Sequence, residues 1–123
     1  MTATPFVILY VEDNVYIREA FAELLDAPGR RIVGVSDGAG ARQALAAQPV
    51  DLLITDINLP DGSGLDVARE ALARNPALPV IVCSGHDVTA VAKALGPTAH
   101  PLRKPFELDD LEALVEQFAP GAG

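Results

Sequence analysis

Polar and charged residues stand where the chain's apolar runs stop. Val7-Ile8-Leu9-Tyr10-Val11 gives way to Glu12-Asp13, and Leu52-Leu53-Ile54-Thr55 gives way to Asp56. Val80-Ile81-Val82-Cys83 ends on Ser84, and Leu102-Arg103 precedes Lys104-Pro105. A strand buried on both faces of a parallel sheet has such a continuous apolar sequence. Open α/β sheets bind ligands just beyond the carboxyl ends of their strands. Three carboxylates, a hydroxyl and an ammonium would therefore converge on one edge. That set of groups suits a divalent cation together with a phosphoryl group.

Each of these residues also has a plainer reading. Asp is a good helix N-cap, so Glu12-Asp13 could simply open a helix. Two adjacent acids near a third at Asp56 would, however, repel one another. Mg²⁺ relieves that repulsion and takes one or two carboxylates, several waters and a phosphate oxygen. The expected direct ligand is Asp13, with Glu12 acting through water. Asp56 is a poor helix cap because Pro60 follows shortly after. A carboxylate at a strand end can instead act as a nucleophile and become an aspartyl phosphate. Metal coordination by one Asp56 oxygen leaves the other free to attack, and the backbone carbonyl of Asn58 could complete the metal sphere. Serines often end strands and most lysines are solvated, so Ser84 and Lys104 mean little singly. Beside Gly85, Ser84 leaves an open approach for a phosphoryl oxygen that its hydroxyl could hold. Phosphoryl transfer depends on positioning and on cations that neutralise the equatorial oxygens. Lys104 and Mg²⁺ can supply both.

These groups need a frame that gathers strand ends, and strand-like and helix-like segments alternate along the chain. Ile17, Ala20, Phe21, Leu24 and Leu25 recur with helical spacing before the break at Pro28-Gly29. Arg31 to Val35 has the pattern of a more exposed strand. Asp37 or Ser36 can cap a helix carrying Ala41, Ala44 and Leu45, which stops at Pro49. Asn58 to Gly64 is a loop by composition. A helix from about Leu65 to Arg74 is closed by Asn75-Pro76, and a short one runs around Val88 to Leu95. A weak strand lies near His100 to Arg103. The last helix starts near Glu107 and puts Leu108, Leu111, Val115 and Phe118 on one face. Glu107, Asp109 and Asp110 sit in its first turn, where carboxylates complement the helix dipole. Five strands alternating with five helices predict an α/β fold, a parallel sheet covered on both faces. The site should sit where the strand order reverses.

Composition narrows the function. At 123 residues the chain has the length of one domain. We expect its core over about 5–119 and a short flexible tail over 120–123. Half the residues are hydrophobic and only 5% aromatic, so the core is aliphatic. A net charge of −8 argues against nucleic-acid partners and anionic membranes. One cysteine excludes an internal disulfide and fits a reducing compartment. No signal-like N-terminus or membrane-length apolar run is present, so a cytoplasmic protein is expected. Gly38-Ala39-Gly40 lacks the context of a dinucleotide fingerprint. Cys83 has the pattern of a buried strand residue.

Taken in order, Val11-Glu12-Asp13-Asn14, Thr55-Asp56-Ile57-Asn58-Leu59-Pro60, Cys83-Ser84-Gly85 and Lys104-Pro105-Phe106 form a specific set. With them the chain resembles the receiver domain of bacterial two-component response regulators over nearly its whole length. The resemblance implies a doubly wound, CheY-like fold with strand order 2-1-3-4-5, the chemotaxis receiver being a known example of this fold. It implies that Asp56 accepts phosphate from a sensor histidine kinase or histidine phosphotransfer protein. Glu12 and Asp13 would serve Mg²⁺, Ser84 would switch toward the phosphate, and Lys104 would contact it across a cis Lys104-Pro105 bond. The expected protein is a stand-alone receiver acting on a downstream protein target. It would be no enzyme beyond its own phosphorylation and dephosphorylation.

Two positions qualify this likeness. Receivers usually carry Tyr or Phe three residues before the lysine, and here that position is Pro101, preceded by His100. His86, two residues past Ser84, occupies a place that in the family often tunes dephosphorylation, and it equally fits an exposed loop histidine. A phosphohydrolase with an aspartyl nucleophile is the enzymatic alternative. Such enzymes usually carry a second Asp two residues on, where this chain has Asn58. A phosphorylation-independent pseudo-receiver is the other alternative. The acidic site argues against it, and the missing aromatic argues for it.

Overall fold

The apolar runs occupy the middle of a sheet because they are covered on both sides. A computed structural model describes residues 5–118. The tail expected over 120–123 lies outside them. β1 (Phe6–Val11), β3 (Leu52–Asp56) and β4 (Val80–Ser84) form the centre, flanked by β2 (Arg30–Val35) and β5 (Ala99–Arg103). All five are parallel in the order β2-β1-β3-β4-β5, which is the expected 2-1-3-4-5. Every residue of β3 and β4 is buried, whereas β2 has no fully buried position.

Successive side chains of a strand point to opposite faces, and each face has its own core. Leu9, Val11, Leu53, Val80 and Val82 pack on one side. They meet α2 (Gly38–Ala47) and α3 (Gly64–Arg74) through Ala41, Ala44, Val67, Ala68 and Ala71, and α4 (Thr89–Leu95) through Val91, Leu95 and its N-cap residue Val88. Ile8, Tyr10, Leu52, Ile54, Ile81 and Cys83 face the other side. There α1 (Val15–Leu25) contributes Leu25, and α5 (Leu108–Phe118) contributes Leu111 and Val115.

Helix starts follow capping chemistry. The Asn14 side chain accepts hydrogen bonds from the Tyr16 and Ile17 amides, and Asp37 accepts one from Gly40. Ser63 does the same for Leu65, so α3 begins at Gly64, a residue earlier than its apolar spacing suggests. α4 begins after Val88, and α5 begins one residue after Glu107. β2 and β5 each start one residue earlier than expected, at Arg30 and Ala99. The stretch from Asn58 to Gly64 is not all loop. Asn58–Leu59 pairs antiparallel with Gly62–Ser63, a ribbon too short to leave an apolar run.

The apolar stripe of α1 is only partly covered. Leu25 is fully buried, while Ile17 and Leu24 remain 39% and 57% exposed. Pro101 lies inside β5, where a proline would ordinarily break the ladder. The Val80 amide donates to the Thr98 carbonyl (3.0 Å) and the Lys104 amide to the Ser84 carbonyl (2.7 Å). Parallel ladders alternate residue by residue, so position 101 directs its missing N–H off the sheet edge. Proline is tolerated there.

Candidate functional site

The connections after β1 and β3 leave toward opposite edges of the sheet, and a crevice opens where they part. Glu12 and Asp13 follow β1, and Asp56 ends β3. One carboxylate oxygen from each lies within 4.8 Å of the others. Glu12 and Asp56 are buried at 2% and 7% exposure, while Asp13 is open to solvent. A cleft of about 290 Å³ is lined by Asp13, Asp56, Asn58, Ser84, Gly85 and Lys104. The residues singled out in the sequence therefore share one crevice, with Glu12 behind it.

Lys104 reaches in from the end of β5. Its Nζ lies 2.7 Å from Asp56 Oδ1 and 3.3 Å from Glu12 Oε1. Burial by itself would lower the Lys104 pKa. The hydrogen bond and charge of Asp56, with those of Glu12, outweigh that and hold it above the ordinary lysine value. The ammonium is thus a fixed positive charge beside the carboxylates at neutral pH. Desolvation pushes the neighbouring Tyr10 hydroxyl and Cys83 thiol strongly upward, helped by the charges of Glu12 and Asp56. Cys83 stays a thiol, in keeping with a structural strand residue.

The backbone holds each functional group in place. Glu12 is pinned on both sides of its peptide: its amide donates to the Val35 carbonyl (3.0 Å), and its carbonyl accepts from Arg18 Nη1 (2.7 Å). Its Oε2 also accepts from the Asn14 amide (3.3 Å). Asn14 takes the capping role at α1, which leaves the Asp13 carboxylate free of any helix amide. The Asp56 carbonyl accepts from Thr55 Oγ1 (2.9 Å). Ser84 Oγ accepts from the His86 amide (3.1 Å), and the Ser84 carbonyl accepts from the Lys104 amide. The hydroxyl and the ammonium are thereby tied to one another through the backbone. The Lys104-Pro105 peptide bond is cis, as the resemblance implied.

Three supporting residues escaped the sequence reading. Arg18 is the first. Asp61 accepts from the Gly38 and Ala39 amides (2.8 and 3.0 Å), which lower its pKa and moor the Asn58 loop to the start of α2. Gly64 lies against the Asp56 carbonyl so closely that a Cβ there would overlap it. Only Gly64 left a legible sign, as a glycine at the end of a polar loop.

The oxygens fit Mg²⁺. They are hard carboxylate and carbonyl donors, with one exposed acid on the solvent side, and Mg²⁺ keeps several waters. Asp13, Asp56 and the Asn58 carbonyl would hold it directly.

The chain matches the model of the response regulator receiver domain over residues 8–116. It belongs to that family, the signal-receiving part of two-component systems. It is 34% identical to the DNA-binding transcriptional regulator NtrC of Escherichia coli K12 over 113 residues. That match covers 90% of this chain and 24% of the relative, so the chain spans about a quarter of NtrC's length. It is 33% identical over 117 residues to the response regulator receiver protein CpdR of Brucella abortus, covering 90% of this chain and 94% of CpdR. Among solved structures, the response regulator TrrA of Thermotoga maritima, in complex with Mg²⁺-BeF, superposes with a TM-score of 0.80. It shares 27% identity and covers 92% of this chain and 98% of its own.

Proposed function

We propose that Asp56 accepts a phosphoryl group from a phosphohistidine on a sensor histidine kinase or a phosphotransfer protein. The transfer depends on Mg²⁺, and the phosphorylated chain switches or relays a signal through a downstream protein. The observation that carries this reading is the Asp56 carboxylate itself. It is buried at a strand end, 2.7 Å from the Lys104 ammonium and grouped with two further acids.

The chemistry follows from this arrangement. The Asp56 oxygen not paired with Lys104 attacks phosphorus, an O–P bond forms, and the N–P bond to the donor imidazole breaks. The imidazole nitrogen keeps the electron pair and takes up a proton. Asp13, Asp56 and the Asn58 carbonyl would hold Mg²⁺, with Glu12 acting through water. When bound, the ion supplies positive charge to the phosphoryl oxygens. Lys104 exchanges its Asp56 contact for a phosphoryl oxygen. The Ser84 oxygen already accepts a bond from His86, so its proton is free to donate to another. We assign no turnover beyond the chain's own phosphorylation and dephosphorylation. Phosphohydrolases with an aspartyl nucleophile usually carry an acid where this chain has Asn58, whose amide cannot donate a proton as an acid would.

The donor protein would land beside the crevice. A hollow of about 430 Å³ beside Glu12 and Lys104 is lined by Ile17, Phe21, Pro105 and Phe106. Tyr16, next to Ile17 on α1, stands 82% exposed. We read the chain as one receiver unit working in the cytoplasm, without nucleic-acid or membrane partners. Among the described residues no helix is long and apolar enough to cross a membrane.

The test is incubation with acetyl phosphate, with and without Mg²⁺, followed by intact mass measurement. The expected result is a gain of one phosphoryl group only when Mg²⁺ is present. An unchanged mass in both samples would overturn the reading.

A further inference from the structure

Arg18 plays no part in the proposed transfer, yet it grips the acidic edge. It projects from the first turn of α1 toward the end of β1, and its Nη1 donates to the Glu12 carbonyl at 2.7 Å. No other hydrogen bond to that carbonyl occurs among the described residues. The Arg18 stem reaches it by crossing β2 at Gly34. A Cβ at Gly34 would meet Arg18 Cγ and Cδ at 3.3 Å, closer than comfortable packing. Glycine in a strand interior weakens the strand and often marks a close approach by another group. Here the approaching group is Arg18.

We propose that Arg18 is a positioning residue for the metal-binding acids, and that Gly34 is the clearance that lets it act. The inference rests on the Mg²⁺ site proposed above. The Glu12 peptide is held between the Val35 carbonyl and the Arg18 guanidinium. Asp13 follows directly, so this clamp fixes where its carboxylate starts. Groups that orient metal ligands from behind typically contribute 10- to 100-fold to metal affinity when removed. Arg18 touches neither the phosphoryl group nor the metal in this scheme. Its loss should weaken Mg²⁺ binding without slowing transfer once the ion is bound.

The experiment titrates Mg²⁺ alone into the full chain by calorimetry and measures acetyl phosphate labelling across a Mg²⁺ series. The variants are Arg18→Ala, Arg18→Lys and Gly34→Val. For Arg18→Ala the expected result is Mg²⁺ binding weakened about tenfold or more. Its maximal labelling rate at saturating Mg²⁺ should stay within about twofold of wild type, since the reacting groups are intact. Arg18→Lys keeps a donor and should fall between. Gly34→Val leaves Arg18 present and suits a strand, but it displaces the stem and should weaken Mg²⁺ binding in the same way. If Arg18→Ala does not fold, Gly34→Val decides. Wild-type affinity in a folded Arg18→Ala, or in Gly34→Val when the alanine variant fails, would overturn the role of Arg18. Failure of wild type itself to bind Mg²⁺ would instead overturn the site on which it rests.

Discussion

Asn14 does the capping that Glu12-Asp13 could have done, and that division leaves Asp13 at the cleft mouth with an unengaged carboxylate. Mg²⁺ binding there should stabilise the native state. At a tenfold excess over Kd the gain is about 1.4 kcal/mol, a rise of several degrees in Tm for a chain of this size. Asp13→Ala should lose most of it in a thermal melt, and an undiminished gain would move the metal elsewhere. Lys104 gives a pH signature of known sign. Its pKa is raised in the folded state, so its pairing with Asp56 and Glu12 is fully present below the ordinary lysine value of about 10.4. The pairing is lost as pH rises through the higher folded value. Lys104→Met should therefore cost on the order of 1 kcal/mol at neutral pH, the pair being partly solvent-screened. The gap between wild type and mutant in urea unfolding should close only in strong alkali. A gap that closes near neutrality would contradict this. At this scale the acids and Ser84 were legible because each sits at the end of an apolar run, and Lys104 because Pro105-Phe106 follows it. Arg18 and Asp61 were not, because their partners belong to other elements and leave no local pattern.

Secondary structure was easiest to read where burial is two-sided. β1, β3 and β4 announced themselves by apolar continuity, whereas β2 and β5 carry arginines, a glycine and a proline because they form the edges. Element ends slipped by a residue where side-chain caps decide them, as Ser63 does for α3. Gly64 joins α3 to the site, since its missing side chain lets the helix start against the Asp56 carbonyl. Gly64→Ala should cost about 3 kcal/mol or more by overpacking. Equilibrium unfolding measures this, and a stability within error of wild type would refute the close approach. Pro101 bears on how a signal leaves the site. A hollow of about 350 Å³ lies between α4 and β5 beside Pro101. Proline's locked backbone torsion and short ring cannot swing in and out of it. Structural change on phosphorylation should then run through Ser84, the loop over 85–88 and the first turn of α4. Restoring Tyr at position 101 should leave labelling of Asp56 intact and alter the population of the active state. NMR with beryllofluoride should show the largest shifts from Ser84 to Val91. Shifts centred on His100 and Pro101 would contradict that route.

The whole molecule supports a single crevice with a layered frame behind it. Two aliphatic cores, one on each face of the sheet, hold five strand ends at one edge. The alternation of strands and helices made that architecture legible, since parallel strands need crossover helices on both faces. The partial exposure of α1 was not legible, because helical spacing gives the direction of an apolar stripe but not what covers it. The excess of acids gives the chain its net charge of −8, and two of them lie buried at the site beside Lys104. The central claim is that this frame makes Asp56 the acceptor. It is tested by locating the phosphoryl group after labelling with acetyl phosphate and Mg²⁺. Borohydride reduces an acyl phosphate to an alcohol and so marks the modified residue for peptide mass mapping. The account predicts the mark at Asp56 alone in wild type and no mark in a folded Asp56→Asn variant. A mark at Asp13, Glu12 or any other carboxylate in wild type, or equal labelling of Asp56→Asn, would contradict it.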